Sequence, residues 1–116
     1  MTLQQFNKNY IYTADGTLDS WQVLEEVDGK YKGDCEAYWL TVRAKVEGFE
    51  NLELYFCKYN GEGHCIGKLG YQWIDCGLQR LVESLPPQYT DLRKYWKIEI
   101  VIKKLIGKVL RWYKNL

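Results

Sequence analysis

Three residues carry the chemistry this chain offers: a cysteine, the only histidine and an aspartate. Cys35 follows Lys32-Gly33-Asp34 and precedes Glu36-Ala37-Tyr38-Trp39-Leu40. The stretch reads as a turn at Gly33, an N-cap at Asp34 and a thiol in the first helical turn. An aspartate favours that position because its side chain accepts orphan backbone N–H groups at a helix start. The helix dipole then favours negative charge, so a thiol held there ionises more readily than a free one. That makes Cys35 a candidate nucleophile, which needs a base within hydrogen-bond reach and a group that orients the base. His64 and Asp75 fill those roles in the chain order Cys–His–Asp.

The elements that must position them follow from local pattern. Residues 9–13 read as a short strand closed by Asp15-Gly16. Leu18 to Val27 reads as a short helix capped by Asp19 or Ser20, with Trp21, Leu24 and Val27 or Val23 inward. The cysteine helix runs to about Glu47, with Gly48 as its stop signal. Cys35, Trp39, Val42 and Val46 share one stripe of it, which sets the thiol on the buried side against a sheet. Three strands are then expected: Leu52–Cys57, Gly63–Gly67 and Tyr71–Cys76, the first two joined by the hairpin signal Asn60-Gly61. If Leu69-Gly70, or Lys68 to Tyr71, forms the second turn, Ile66 opposes Trp73 and His64 opposes Asp75. Directly opposed side chains have Cβ atoms about 4.5–5.5 Å apart, close enough for the carboxylate to fix the imidazole tautomer. An odd loop or a bulge would change that pairing.

Pro86-Pro87 interrupts regular structure. A last helix starts near Thr90 or Asp91, with Ile98, Val101, Ile102, Leu105, Val109 and Trp112 on one stripe and lysines beside it. Its opening run, Lys97 to Ile102, is β-branched enough to read equally as a strand.

The totals exclude several classes. A net charge of +1 over 116 residues gives no global case for nucleic acid. Residues 94–116, however, carry seven Lys/Arg and one acid, Glu99, leaving 9 basic and 14 acidic residues elsewhere, a balance of −5. That basic stripe suits packing on the domain, an acidic partner or an anionic membrane surface. Ten Tyr and five Trp imply that large rings substitute for a larger core. No export signal and no membrane-spanning run are apparent, so a cytoplasmic setting in a host cell is expected, with Cys35, Cys57, Cys65 and Cys76 as reduced thiols. A zinc site from His64, Cys65, Cys57 and Cys76 is awkward, because adjacent His64 and Cys65 point to opposite faces of a strand.

Taken together, Tyr12-Thr13-Ala14-Asp15-Gly16-Thr17-Leu18-Asp19-Ser20-Trp21-Gln22, Gly33-Asp34-Cys35-Glu36-Ala37-Tyr38, Gly61-Glu62-Gly63-His64 and Trp73-Ile74-Asp75 resemble the bacterial transglutaminase-like cysteine peptidases. The resemblance covers roughly residues 10–77 and leaves the region beyond Gly77 unmatched. It implies an α+β, papain-like core with Cys35 as nucleophile, His64 as general base and acid, and Asp75 as orienting group. Compact members without an export signal look phage-encoded, which this chain also resembles. Some members bind calcium through acids flanking the cysteine, the positions of Asp34 and Glu36; N-capping and a first-turn acid account for both without a metal. An oxyanion hole would use the Cys35 N–H and a second donor from Gln22 or Trp21, whose plain readings are helix surface and core.

The expectation is therefore one α+β domain over residues 1–116, with a core of about 10–77 and a basic C-terminal extension of about 88–116. It would be a cysteine peptidase or amidase acting on a protein or peptide, with no required cofactor. The alternatives are a catalytically silent interaction protein on the same fold and a peptidoglycan amidase, the latter disfavoured by the missing export signal.

Overall fold

The computed structural model describes residues 1–14, 21–75 and 80–116. A helix, α1 (Leu3–Asn9), leads into β1 (Tyr10–Tyr12), which pairs in parallel with β2 (Tyr31–Gly33). The helix α2 (Cys35–Lys45) follows, then strands β3 (Glu53–Tyr59), β4 (Glu62–Leu69), β5 (Gln72–Ile74) and β6 (Tyr89–Lys94), and finally α3 (Lys97–Lys114). The four later strands form one antiparallel sheet in the order β5-β4-β3-β6, so the architecture is α+β.

α2 is the centre of the molecule. Asp34 caps it by accepting the Ala37 N–H at 3.2 Å, and it is buried on nearly all sides from Ala37 to Val42. The expected stripe is inward: Trp39 and Val42 are fully buried and Val46 nearly so. The helix ends at Lys45, with Val46 as its C-cap, slightly short of Glu47. A cluster of rings fills the far side, with Phe6, Tyr31 and Tyr38 at centroid separations of 5.1–5.2 Å around Phe6.

Gly33 is not a turn. It ends strand β2 in ordinary extended geometry, and it is needed for close approach: a Cβ there would lie 2.8 Å from Leu24 Cδ2 and 3.1 Å from Ala37 Cβ. The helix expected before it is also absent over residues 21–27. Trp21 and Leu24 are buried as expected, but Val27 is exposed and closes a tight turn with Lys30 around Asp28-Gly29. Tertiary bonds hold this segment irregular: Leu24 N–H donates to Thr41 Oγ1 at 2.8 Å, and Lys45 Nζ donates to the Leu24 carbonyl at 2.9 Å. The proposed caps Asp19 and Ser20 lie outside the described residues.

The first hairpin forms at Asn60-Gly61, both at positive φ (51° and 83°), as a two-residue primed turn requires. The second differs in register. Its loop is Gly70-Tyr71, so Gly67 opposes Ile74 and Lys68 opposes Trp73, two residues away from the expected pairing. Gly70 supplies the positive φ (62°) at the first loop position. The segment Tyr89–Lys94, where the last helix was expected to start near Thr90 or Asp91, is instead the edge strand β6; it pairs with β3 through a bulge at Asp91, whose φ is 55°. α3 starts only at Lys97, and the ambiguous run Lys97 to Ile102 is helical.

Opposed pairs define the two faces of the sheet. Leu54, Cys65, Gly67 and Ile74 look toward α2: Trp39 lies against Gly67 and donates its indole N–H to the Cys65 carbonyl at 2.9 Å. Cys57, His64, Ile66, Tyr55 and Trp73 look the other way.

Candidate active site

Cys35 is the first residue of α2, delivered by β2 and Asp34. The Tyr10 hydroxyl donates to the carbonyls of Gly33 at 2.7 Å and Asp34 at 3.3 Å, which ties the approach to the thiol. Cys35 is 8% exposed, and its Sγ–H donates to Glu36 Oε2 at 3.5 Å. Burial, then the neighbouring Asp34 carboxylate, raises the Glu36 carboxyl above the usual carboxylate range. Cys65, fully buried beside this group, is pushed well up as a thiol by burial first and by Cys35 and Glu36 next.

His64 and Asp75 are brought together despite the shifted register. His64 Nε2 lies 2.9 Å from Asp75 Oδ1 and 3.0 Å from Oδ2. A shift of two residues keeps every side chain on its face, and a diagonal neighbour about 7–8 Å away is within reach of an imidazole. Asp75 is almost fully buried, and the Tyr89 hydroxyl donates to its Oδ2. Burial and then the Asp75 hydrogen bond hold the Tyr89 phenol far above its ordinary range. His64 and Tyr89 thus both anchor the carboxylate, and the other imidazole nitrogen, Nδ1, makes no hydrogen bond among the described residues. Directly across the strand from His64 stands Cys57, fully buried and raised to about 11, first by burial and then by Asp75.

No hydrogen bond joins Cys35 to His64. Alternation along β4 turns Cys65 toward α2 and His64 to the other face. His64 therefore leaves β4 on the face opposite the one that α2 covers. Among the described residues, the pairing of β5 with β4 covers Gly67 to Leu69.

Tyr89 is the functional candidate that sequence reasoning missed. Its only local signal was the short run Tyr89-Thr90 after Pro86-Pro87, and its partner strand lies about thirty residues back in the chain. The remaining expectations fall out plainly. Trp21 is core: its ring meets Tyr95 edge-on at 5.1 Å and carries Lys103 Nζ at 5.2 Å. Gln22 lines a groove against α3 together with Val23, Lys104 and Lys108. Among the described residues no group of three or more His, Cys, Asp and Glu side chains is placed to hold a metal. Asp34 and Glu36 alone do not make a calcium site, which takes roughly six to eight oxygens, and Asp34 Oδ1 already caps α2. Cys76 lies outside the described residues, and adjacent His64 and Cys65 point to opposite faces of β4, which does not suit a shared ion. No helix among the described residues is long and apolar enough to cross a membrane.

No protein-family model, curated protein or solved structure matches this chain.

Proposed function

We propose that the protein is a thiol hydrolase of the transglutaminase-like kind, built on a papain-like core and cleaving amide bonds in a protein or peptide. One observation carries the proposal: a buried carboxylate that also accepts from Tyr89 holds Nε2 of the only histidine, while Nδ1 makes no hydrogen bond among the described residues. That is the arrangement a general base needs, with its tautomer fixed by an orienting acid. The nucleophile would be Cys35, at the start of a capped helix. Its thiol proton passes to His64 Nδ1 and Sγ attacks the amide carbonyl. The tetrahedral oxyanion is met by the Cys35 backbone N–H, at the start of the helix. Its collapse expels the amine, which takes the proton from His64, and leaves a thioester. Water, deprotonated by His64, then releases the acid and restores the thiol. Contacts between nucleophile and base are often long without substrate and tighten in the reacting complex.

A second reading has its own observation. His64 projects from the face of β4 opposite α2, the helix that carries Cys35, which favours a silent interaction protein on the same scaffold. Iodoacetamide at pH 6 separates the two. The hydrolase reading expects selective alkylation of Cys35, abolished in His64→Ala, and loss of proteolysis in Cys35→Ala against a peptide library. Equal slow labelling of every thiol would sink it in favour of the silent reading.

A further inference from the structure

The basic C-terminal helix is mounted the wrong way round for a helix that only packs on its own domain. α3 touches the body through Ile100 and Gly107, the two residues of it that are buried. Lys103 Nζ sits over the Tyr95 ring at 5.8 Å as well as over Trp21, and Glu99 forms a two-pronged pair with Arg93 at 3.2 Å. At about 3.6 residues per turn, Ile100, Lys103 and Gly107 lie opposite an apolar stripe that is largely exposed, its Val101 and Leu105 edge bordering the groove to Trp21–Val23. Ile98, Ile102, Leu105, Val109 and Trp112 are 50–72% exposed.

Three features decide what covers the stripe. The apolar arc, from Val101 round to Leu110, spans about half the helix circumference, wider than the seam two helices share in a coiled coil. Six Lys/Arg against one acid give the helix a balance of +5, so a second copy laid along it would bring like charges together. Trp96 near one end and Trp112 and Tyr113 near the other are exposed, where amphipathic rings seat in a lipid headgroup layer. A strongly amphipathic, cationic helix of this kind lies in the plane of an anionic interface.

We propose that α3 is a surface anchor that lays its apolar stripe into an anionic lipid bilayer while Ile100 and Gly107 keep it fixed to the domain. This rests on α3 alone and stands whether or not the thiol is used. The test is sedimentation of the full chain with phosphatidylcholine vesicles and with vesicles containing a third phosphatidylglycerol. The expected result is at least tenfold stronger partition onto the anionic vesicles, weakened by 0.5 M salt, with doxyl-lipid quenching of a fluorescence component that Trp112→Phe removes. Leu105→Glu and Val109→Glu sit on exposed positions, so each should keep the wild-type circular dichroism melt while losing vesicle binding. Equal binding to both vesicles, or none, overturns the proposal. So does a concentration-dependent dimer that Val109→Glu makes monomeric in the absence of vesicle binding, which would assign the stripe to a second copy.

Discussion

Asp75 is the residue on which the polar side of the sheet depends. Its carboxylate is buried, yet it accepts from both His64 and Tyr89, so the cost of removing it from water is offset by charge-assisted bonds. Deleting one donor should be felt. Tyr89→Phe keeps the ring packing beside Tyr59 (centroids 4.8 Å apart) but removes the hydroxyl. A bond to a charged group is worth about 1.5–3 kcal/mol, and urea unfolding of this variant should show a loss in that range. A Tyr59→Phe control, at a 40% exposed position, should lie within about 0.5 kcal/mol of wild type. If the two variants behave alike, the hydroxyl does not support the carboxylate.

Among the elements, α2 and the hairpin strands set the site by close packing. Gly67 gives the clearest test, because a Cβ there would stand 3.0 Å from both Trp39 Cε3 and Leu52 Cδ1, in the fully packed layer between α2 and β4. Gly67→Ala should cost about 1–3 kcal/mol as overpacking, read by chemical denaturation; a neutral result would mean that α2 can slide off β4. At the other end of the same contact, Asp34→Ala removes the N-cap that holds the cysteine turn. The expected loss is about 1 kcal/mol, with Asp34→Asn retaining most of the stability because an amide oxygen still accepts the Ala37 N–H. A Thr41→Val change should release the 21–26 segment rather than unfold α2, since Thr41 Oγ1 is what receives the Leu24 N–H. Faster amide exchange at Leu24 than at Val42 would report it.

For the whole molecule, several buried or half-buried hydroxyl and thiol groups share one sign. Cys57 moves from 9.0 to about 11, and Cys65, Tyr89 and Tyr95 are likewise raised, each mainly by burial. Each group is held neutral in the fold and ionises more easily once unfolded. Their contribution is fully present below the ordinary thiol value and is lost as pH climbs toward the folded values, for Cys57 between 9.0 and about 11. Thermal melts should therefore fall steeply above pH 9, and Cys57→Ala should make the fall shallower. A flat melting temperature from pH 8.5 to 11 would contradict the buried, neutral thiols.

Local chemistry made much of this legible in the amino-acid order. The Asp34 cap, the inward stripe through Trp39 and Val42, and the Asn60-Gly61 turn depend on residues within one or two turns of chain. The sequence alone determined them, because capping, periodicity and positive φ are short-range requirements. The α+β class and the meeting of His64 with Asp75 on one sheet face followed from strand alternation, which survives a two-residue slip. What only the tertiary structure decided needed partners far along the chain. β6 exists because the edge of β3 was open to it, and that pairing gave Asp75 its second donor. Residues 21–26 stay irregular because Thr41 and Lys45 bind their backbone. The relation of Cys35 to His64 belongs here too, since α2 packs on the face of β4 that Cys65 occupies, and no spacing between residues 35 and 64 encodes which face a helix will choose.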